Sequence, residues 1–379
     1  MVHIPARGDL AVRLGPEAHQ IPEYGPSRMS RQVYTDPVRF ELERERVLAK
    51  SWILADRSER VSKPGDWTTF EGHGETVVIT RQPDGSLAAF HNVCQHRGPA
   101  IVGEPHGCGA RRFTCPYHGW TYDTTGRLVG VPERDDFSAE HLAGVRAPPV
   151  AVDEWAGWIW INLAGSAAPG LMGWIGREIS DDLGRFAMEG MVLHETLEFD
   201  VPVNYKAIVD GFNEVYHITQ LHHVAPAMTK SARGTSFHIV GQNYMCFVPR
   251  PDTLDRLEED WDHHKYAICH YVVFPNTVFN CNPEHVQVFN PIPVDVNRTK
   301  FLCWQLIYPG DQSDPEYAAY YDKTMQHWAG LKVVVSEDIA IYDQLARTQR
   351  SSGYTQHILS ERECKIAHYH DNMARLIKD

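Results

Sequence analysis

The sequence lacks the features that mark membrane-spanning, nucleic-acid-binding and nicotinamide-binding proteins. It has no run of about 18 apolar residues, so it predicts no membrane-spanning helix. Lysine and arginine (36) are outnumbered by aspartate and glutamate (49), and the formal net charge of −13 argues against nucleic acid or an anionic membrane as partner. No G-x-G-x-x-G fingerprint opens a helix after a predicted strand, and residues 1–26 lack the layout of a signal peptide. We therefore expect a soluble, cytoplasmic protein that binds no nicotinamide itself.

Length and composition are those of an ordinary globular protein. The chain has 379 residues, of which 43% are hydrophobic and 22% are charged, so a sizeable core and two domains are expected. Its eight cysteines are not expected to form a disulfide framework, because such frameworks are rare in cytoplasmic proteins.

The pattern of predicted secondary structure changes twice along the sequence. Short β-rich runs separated by turn residues fill residues 52–163 and predict a small all-β domain. After a Gly/Ala/Pro stretch at 164–170, strands and helices mix, which predicts an antiparallel sheet with helices packed on it. We therefore expect an N-terminal segment and helix (1–44) that packs with the last domain, an all-β domain (45–165) and an α+β domain (166–379). Periodicity predicts helices over 37–51, 206–221 and 316–349. The predicted strands are 67–70, 76–80, 87–91, 112–114, 158–162, 193–203, 245–248, 271–274, 286–289 and 302–308.

Two short loops each carry one cysteine and one histidine. Residues 94–98 read CQHRG and residues 115–120 read CPYHGW, both among predicted strands. Two thiolates and two imidazoles can form a structural zinc site, or a [2Fe–2S] cluster with two cysteines on one iron and two histidines on the other. Zinc fingers usually pair Cys with Cys and His with His, whereas each loop here supplies one of each. The pattern therefore favours the mixed-ligand cluster over zinc, and either metal site over four unrelated side chains.

These two loops resemble the Rieske motif of the aromatic-ring-hydroxylating oxygenases, in which C-x-H-R-G is followed by C-P-Y-H-G-W. The resemblance implies that Cys94 and Cys115 bind one iron of the cluster and that His96 and His118 bind the other. Rieske proteins of respiratory complexes carry an additional cysteine in each loop. This chain lacks it, which favours the oxygenase branch.

A second group of metal-binding residue types follows further along the chain. Asp210, Glu214 and His217 are spaced at i, i+4 and i+7, which is one face of a helix; surface helices carry such faces without any metal. His222 follows His217 by five residues, too far round an ideal helix for both rings to meet without a bend or a helix end. Two imidazoles and one carboxylate form the facial triad of non-haem Fe(II) oxygenases, which leaves positions open for O2.

The carboxylate of such a triad must come from elsewhere in the chain. Asp338 is the best candidate, because its apolar neighbours predict partial burial, where an acid needs a partner or a metal. Glu337 competes with it on sequence alone. His223 is an additional histidine that we expect to support the site, with replacement of His222 as ligand being the alternative.

The family resemblance assigns roles to these residues. The family pattern is roughly N-W-K, an acid–Asn pair, E/D-x-Y-H-x4-H and a late E-D. It implies that His217, His222 and Asp338 bind the mononuclear iron. It also implies that Glu214 bridges this iron site to the cluster of a neighbouring subunit.

The resemblance covers residues 34–370 and departs from the pattern at two positions, where Tyr205 replaces Trp and Gly211 replaces Asn. It implies an α+β fold class: a small all-β Rieske [2Fe–2S] domain plus a larger catalytic domain with an antiparallel sheet and helices, of the helix-grip (START/Bet v 1-like) type.

The resemblance further implies that the chain is the catalytic (alpha) subunit of a multicomponent Rieske oxygenase. The expected cofactors are one Rieske [2Fe–2S] cluster and one mononuclear Fe(II) per subunit. Electrons would come from NAD(P)H through a separate reductase, with or without a ferredoxin, and O2 would be the oxidant. The expected assembly is a homotrimer, with or without a beta subunit.

The substrate is the least determined part of this interpretation. Mono- or dioxygenation of an apolar aromatic or polycyclic compound, as in aromatic hydrocarbon catabolism, is the leading expectation. The stretch 210–217 also resembles the branch that oxidises or N-demethylates quaternary amines such as choline, carnitine or betaine, which aromatic walls can bind. A non-catalytic Rieske electron-transfer protein and a zinc-stapled binding module remain alternatives of another class. The predicted pocket walls are Phe212, Met228, Phe237, Tyr244, Phe247, Phe274 and Phe279.

Overall fold

The computed structural model describes residues 26–222, 235–250, 253 and 262–378, which divide into two compact units. The inserted unit is Leu48–Leu171, and the flanking unit combines the residues up to Val47 with those from Met172 onward. The boundaries expected from the sequence, at residues 45 and 166, remain predictions. No helix within the described ranges has the length and apolar character needed to cross a membrane.

The secondary structure is numbered here in chain order. The strands are β1 Ser27–Ser30, β2 Ile53–Arg57, β3 Trp67–Gly72, β4 Glu75–Arg81, β5 Leu87–His91, β6 His106–Gly107, β7 Arg112–Thr114, β8 Thr121–Asp123, β9 Leu128–Gly130, β10 Pro149–Trp155, β11 Trp158–Asn162, β12 Val192–Val201, β13 Ser236–Val240, β14 Asn243–Pro249, β15 Ala267–Val273, β16 Thr277–Cys281, β17 His285–Asp295, β18 Arg298–Ile307 and β19 Gln356–Leu359. The α-helices are α1 Gln32–Thr35, α2 Pro37–Arg46, α3 Ala139–Leu142, α4 Leu171–Ile175, α5 Arg177–Leu183, α6 Tyr205–Phe212, α7 Ile218–Leu221, α8 His263–Tyr266, α9 Pro315–Thr348 and α10 Cys364–Lys378.

The inserted unit is built from two antiparallel sheets. Seven strands pair in the order β2-β11-β10-β5-β4-β3-β6, and β7, β8 and β9 form a smaller sheet. Buried aromatic side chains from both sheets, including Trp67, Phe90, Phe113 and Tyr122, share one core. The first Cys–His loop follows β5 and the second joins β7 to β8, so both loops extend from strands that this core anchors.

The flanking unit contains a seven-stranded antiparallel sheet in the order β12-β18-β17-β16-β15-β14-β13. Strands β13 to β18 each pair with the next in sequence, and β12 lies beside β18 at one edge. The long helix α9 packs on this sheet through Glu195 of β12. The Glu195 carboxylate accepts hydrogen bonds from Trp328 and, at 2.8 Å, from Lys332 Nζ, both on α9. Glu195 therefore marks the face of the sheet that α9 covers.

A buried ion pair connects helix α2 to helix α6. Lys206 Nζ contacts the carboxylate of Glu43, and both side chains are 0% exposed. Arg39 Nε donates to the other carboxylate oxygen of Glu43 at 2.9 Å. Burial lowers the pKa of Lys206, and the charge of Glu43 opposes that shift. The pair holds the N-terminal helix against the element that carries part of the second metal-binding group.

Most of the predicted elements form, with shifts at their ends. The helix predicted over 316–349 is α9, which begins and ends one residue earlier. The helix predicted over 37–51 ends at Arg46, and one turn of 3-10 helix follows. The helix predicted over 206–221 was wrong as a single helix, because the chain breaks between Phe212 and Ile218. Three predicted strands have the observed bounds: 87–91, 112–114 and 158–162.

The Glu43 ion pair gives a testable expectation for stability. The variant Glu43→Gln leaves the Lys206 ammonium buried without its counter-charge, so we expect the free energy of unfolding to fall by about 3–5 kcal/mol, measured by urea denaturation. The matched control is Glu41→Gln on the same helix, which removes an exposed pair with Arg44 (2.8 Å) and should cost no more than about 1 kcal/mol. Equal losses in the two variants would contradict the expected role of the buried pair.

Candidate metal centres

The two Cys–His loops of the inserted unit share one pattern of backbone hydrogen bonds. In each, the cysteine N–H donates to the carbonyl oxygen five residues later, at 2.8 Å in both loops. The N–H four residues after each cysteine donates to the cysteine carbonyl, at 2.9 and 3.0 Å. Glycine occupies that fourth position, and Gly98 and Gly119 have φ values of +85° and +72°, which only glycine adopts without strain. The glycines of the motif therefore close two equivalent loops.

The four predicted cluster ligands converge between these loops. Cys94 and Cys115 are both 2% exposed, and the neighbouring Cys94 thiol adds to the burial that raises the pKa of Cys115. The rings of His96 and His118 have centroids 4.5 Å apart, and His96 stacks on Trp120 at 4.9 Å. His96 Nδ1 is buried and has no hydrogen-bond partner among the described residues. Paired buried thiols, neighbouring imidazoles and an unpartnered ring nitrogen fit a mixed-ligand [2Fe–2S] cluster.

Hydrogen-bond donors surround the two thiols. The Tyr122 hydroxyl lies 3.3 Å from Cys94 Sγ and accepts a hydrogen bond from Gln95 N at 2.9 Å. Burial raises the pKa of Cys115, and the backbone N–H groups of residues 117 and 118 oppose the rise by pointing at its sulfur. Hydrogen bonds to the sulfur ligands tune the reduction potential of iron–sulfur clusters. The chain therefore provides both ligands and tuning groups at this site.

In the flanking unit, Glu214 accounts for the break in the helix expected around it. Its carboxylate accepts hydrogen bonds from the backbone N–H groups of Tyr216 and, at 3.1 Å, of His217. A side chain that accepts from nearby backbone N–H groups in this way stabilises a turn that competes with continuation of the helix. Helix α7 is one turn long and ends just before His222. The helix end that the five-residue spacing required is therefore present.

This break brings His217 and His222 together with Asp338 of α9. The candidate ligand atoms of the three residues lie within 4.8 Å of one another. Asp338 Oδ1 is 3.9 Å from His217 Nε2 and 3.6 Å from His222 Nε2. The two imidazole rings are nearly perpendicular, at 81°, with centroids 5.1 Å apart. Two imidazole nitrogens and one carboxylate oxygen that converge in this way are a donor set that fits ferrous iron.

A glutamate holds the other nitrogen of each histidine. Glu214 contacts His217 Nδ1, and Glu337 Oε2 lies 2.9 Å from His222 Nδ1. These contacts orient both rings so that Nε2 faces Asp338, as the hydrogen-bonded partners of metal-binding histidines do. Glu337, the competing candidate for the carboxylate ligand, thus orients a histidine, while its neighbour Asp338 faces both Nε2 atoms.

The charge of the Asp338 carboxylate is poorly compensated by protein groups alone. Burial raises the pKa of Asp338 to about 6, although His217 and His222 act to lower it. The carboxylates of Glu214 and Glu337 add to the rise. A divalent cation among the three side chains would offset this penalty, because it stabilises the ionised carboxylate.

A further group of one carboxylate and two histidines differs from this triad. Asp182, His263 and His264 are buried and also lie within 4.8 Å of one another. The Asp182 carboxylate accepts hydrogen bonds from Tyr271 Oη at 2.6 Å and from His263 Nε2 at 2.9 Å. None of the three residues lines the cavity described below. Internal hydrogen bonding accounts for this group without a metal.

The triad lies at one end of a cavity of about 520 Å³. Helix α9 forms one wall, from Asp338 at the triad to His327, a rise of about 16 Å at about 1.5 Å per residue. At the triad end, Phe212 stacks on Phe289 of β17 with centroids 4.6 Å apart. At the other end, His327 meets His285 of β17 at 5.4 Å. The cavity is therefore elongated along α9 and β17.

The predicted aromatic walls were mostly wrong. Within the described ranges Phe212 is the one predicted residue that lines the cavity. Side chains alternate between the two faces of a strand, so Cys246 and Asn280, rather than their neighbours Phe247 and Phe279, face the cavity. The described candidates that do not line it are Phe237, Tyr244, Phe247, Phe274 and Phe279.

Gly211 and Tyr342 explain one departure from the family pattern. A Cβ atom added to Gly211 would lie 2.7 Å from Tyr342 Oη, so the tyrosine hydroxyl occupies the space that a larger side chain needs. Tyr342 lines the cavity beside Asp338, and sequence reasoning missed it; the small residue at position 211 was the available signal. The predicted residues His223 and Met228 lie outside the described ranges.

Two family models match the chain. The "Ring hydroxylating alpha subunit (catalytic domain)" model matches residues 188–379, and the "Rieske [2Fe-2S] domain" model matches residues 51–148. The carnitine monooxygenase oxygenase subunit of Escherichia coli (strain K12) is 28% identical over 366 residues, with 91% of this chain and 92% of the relative covered. The benzene 1,2-dioxygenase subunit alpha of Pseudomonas putida is 33% identical over 314 residues, with 70% and 67% covered.

Solved structures show the same fold. The quaternary ammonium Rieske monooxygenase CntA in complex with L-carnitine is similar at a TM-score of 0.75 and 23% identity, covering 96% of this chain and 99% of that one. Naphthalene 1,2-dioxygenase from Rhodococcus sp. bound to indole is similar at a TM-score of 0.70 and 17% identity, covering 92% and 93%. The expected fold class of two such domains is thereby confirmed.

The two candidate centres predict opposite effects of two variants. Cys115→Ser removes a thiolate, so we expect loss of the visible colour and of the EPR signal of a reduced Rieske cluster, with mononuclear iron retained.

Asp338→Asn removes a triad ligand, so we expect loss of the mononuclear iron, measured by metal analysis, with the cluster spectrum retained. Glu337→Gln is the matched control and should only weaken iron binding, by about 10- to 100-fold. If Asp338→Asn keeps its mononuclear iron and Glu337→Gln has none, the assignment of Asp338 as the carboxylate ligand is wrong. If the natural protein is colourless and contains zinc, the assignment of a [2Fe–2S] cluster is wrong.

Proposed function

Because the chain belongs to the family of ring-hydroxylating Rieske oxygenase alpha subunits, we propose that it oxygenates an organic substrate beside an iron held by His217, His222 and Asp338. Its family uses O2 and electrons delivered by a reductase. The Rieske domain takes a [2Fe–2S] cluster, and the second domain is that of mononuclear-iron oxygenases. We propose Cys94, His96, Cys115 and His118 as the ligands of the cluster.

The observation that carries this proposal is a triad that opens onto a cavity. Its three side chains also line the 520 Å³ space, so a bound metal would have substrate and O2 on that side. When bound, the cluster supplies single electrons and the ferrous ion supplies coordination positions for O2. The chain itself orients the two imidazoles through Glu214 and Glu337.

The triad end of the cavity favours an apolar, aromatic portion of the substrate. The stacked pair of Phe212 and Phe289 lies there, and Val215 and Val334 add aliphatic surface. Flat apolar walls favour flat apolar groups, because aromatic rings pack in offset or edge-to-face contacts. We therefore propose mono- or dioxygenation of an aromatic ring, or of a carbon attached to one.

Oxidation of a quaternary amine is the second candidate. Relatives named carnitine monooxygenase match over 91% of this chain, and the faces of Phe212 and Phe289 are of the type that attracts cations. Within the described lining, the acidic side chains are Glu214 and Asp338, both of which contact the triad histidines. An anionic group that does not contact the triad histidines therefore has to come from outside the described lining, and for this reason we rank this candidate second.

Single-turnover oxygenation distinguishes the two candidates. Protein with a reduced cluster is incubated with one compound at a time: naphthalene, 2-naphthol, carnitine or choline. 18O2 is then added, and the products are analysed by mass spectrometry. We expect 18O in a hydroxylated aromatic product and none from the amines. Asp338→Asn should give no product with any compound. Cleavage of carnitine or choline without aromatic hydroxylation would establish the amine candidate instead, and no 18O product from any compound would contradict the proposed reaction.

We propose that Glu214 also connects the iron site to the cluster of a neighbouring subunit in a homotrimer. Glu214 lines the substrate cavity and a second cavity of about 280 Å³, and the two share His217 and Asp338. Glu214 thus borders a second space besides that of the substrate. A carboxylate that contacts a ligand imidazole on each side would fix both rings and shorten the electron path.

The variant Glu214→Gln tests this role. We expect both metal centres to remain under excess iron while turnover with a reductase is lost, because the amide no longer couples the two sites. Glu337→Gln is the matched control, since Glu337 orients the other histidine and lines neither cavity. Its turnover should recover under excess iron. If turnover recovers equally in both variants, Glu214 only orients His217 and does not connect the two metal centres.

Mixed trimers extend this test. Cys94→Ser and His217→Ala subunits, each inactive alone, are co-expressed and the mixed assemblies isolated with two affinity tags. Activity should partly return, because an intact cluster in one subunit serves an intact iron site in its neighbour. Mixed assemblies without activity would place electron transfer within one chain.

A further inference from the structure

A row of three polar side chains crosses the sheet at the substrate cavity. His270 of β15 lies directly opposite Asn280 of β16, and Asn280 lies opposite Gln287 of β17. Residues that face each other in antiparallel register point to the same side of a sheet, and all three line the cavity. We call these three residues the polar row.

The polar row has hydrogen-bonding capacity that the described part of the chain does not use. Asn280 Nδ2 donates to Gln287 Oε1 at 2.7 Å, which leaves Asn280 Oδ1 and Gln287 Nε2 over. Asn280 Oδ1 and His270 Nδ1 are buried and have no partner among the described residues. If both amides were reversed, the pair would still leave one acceptor and one donor. Asn280 and Gln287 are 8% and 2% exposed and both line the cavity, so a partner for their unused groups would have to come from the cavity side.

The polar row carries no charge at neutral pH. Burial lowers the pKa of His270 to about 3, so its imidazole is neutral and offers one donor and one acceptor. Asn280 and Gln287 are amides. An ionic group buried against neutral dipoles loses more hydration than it regains. The polar row therefore suits an uncharged partner.

Position along β17 separates the polar row from both ends of the cavity. One face of this strand carries His285, Gln287 and Phe289 at every second position, and all three line the cavity. Each step of two residues is about 7 Å, so Gln287 lies about 7 Å from the aromatic pair at the triad and about 7 Å from the far end. Charged groups cluster at that far end, where Arg250 and Lys323 approach Glu284 at 3.6 and 2.7 Å.

We propose that the polar row binds an uncharged hydrogen-bonding substituent of the substrate, such as a hydroxyl or carboxamide group, while an apolar ring lies against Phe212 and Phe289 beside the triad. This inference rests on the proposed function, because it describes the substrate of the same cavity. It narrows the substrate from an aromatic hydrocarbon to an aromatic compound that already carries a neutral polar group about one ring's length from the carbon that reacts.

The physical reason is the cost of leaving buried polar groups unpaired. A hydrocarbon that displaces water from the polar row would leave an acceptor and a donor unsatisfied, whereas a hydroxyl satisfies one or both. Sites built to hydrogen-bond a substituent discriminate strongly against the analogue that lacks it, more than an apolar pocket discriminates by size. The polar row is therefore a specificity-determining feature, and the residues beside the triad determine where the ring is oxidised.

Binding of matched probes to the cluster- and iron-loaded protein tests this proposal. The probes are 2-naphthol, 2-methylnaphthalene, 2-naphthoate and N,N,N-trimethyl-2-naphthylammonium, which differ mainly in one substituent. Anaerobic titration calorimetry gives their affinities without turnover. We expect 2-naphthol to bind at least about tenfold more tightly than 2-methylnaphthalene, and more tightly than either charged probe.

Variants locate the preference. Asn280→Leu and Gln287→Leu should bring the ratio of the two neutral affinities close to one. Gln305→Leu is the matched control: Gln305 faces Gln287 on the next strand and is fully buried, but it does not line the cavity, so the ratio should be unchanged. If a variant does not fold, the ratio in the natural protein decides alone.

Four results would overturn the proposal: equal affinity for the two neutral probes, tightest binding of the anion, tightest binding of the cation, or binding of neither neutral probe. Its failure is separable from that of the proposed function, because oxygenation is measured independently in the 18O2 experiment. Preference for 2-naphthol without any 18O product would contradict the oxygenase reaction and leave the recognition standing. Oxygenation of naphthalene and 2-naphthol, together with equal affinity for the two neutral probes, would support the oxygenase reaction and contradict the recognition.

Discussion

The partly buried carboxylate of Asp338 is the group around which the candidate iron site is organised. An ionised carboxylate in a low-dielectric setting requires compensation, and here two imidazoles face it through Nε2. Each imidazole can do so only when its Nδ1 is held elsewhere, which Glu214 and Glu337 accomplish. The contact with Glu214 in turn requires the break between α6 and α7, because the same carboxylate caps the backbone at the break. The local fold and the donor set thus follow from one electrostatic requirement.

Buried contacts on the other side of α6 hold this arrangement in place. Asn204 caps the helix by accepting from Lys206 N at 3.1 Å, and its amide donates to Val296 O at 3.1 Å. Lys206 pairs with Glu43 on α2, so helix α6 is tied to an element from the start of the described chain. A site whose supporting groups are themselves buried and hydrogen-bonded keeps its geometry when a ligand enters. The asparagine and lysine of the family pattern therefore hold the helix in place, whereas the histidines and acids after them are the residues proposed to hold and orient the iron.

The chemistry of the sites could be predicted from the sequence more completely than their surroundings. Short motifs with fixed spacing defined the Cys–His loops and the family, which the family models confirmed. The spacing of His217 and His222 called for a bend or a helix end, but periodicity reported neither its position nor its cause, a side chain that bonds the backbone. The choice between Asp338 and Glu337 was open because adjacent helix residues point about 100° apart, and the rotation of α9 depends on packing across the sheet. The prediction of the cavity walls was wrong for a related reason. An error of one residue in the placement of a strand exchanges its two faces, so phenylalanines were assigned to the face that carries Cys246 and Asn280.

Strand β15 shows how the two faces of the sheet treat buried polar groups differently. Tyr271 donates to Asp182 on one face, within a network whose carboxylate is hydrogen-bonded by its neighbours. Its sequence neighbour His270 belongs to the cavity face, and its Nδ1 has no hydrogen-bond partner among the described residues. Unused buried hydrogen-bonding groups cost roughly 1–3 kcal/mol each, a cost that an apolar side chain at the same position would avoid. These unpaired groups on the cavity face therefore lower the stability of the protein, and substrate binding can offset that cost. They lie about one ring's length from the groups proposed to hold the iron. A wall of this composition favours one kind of substrate over general affinity for hydrocarbons, because its unpaired groups penalise every ligand that cannot hydrogen-bond to them.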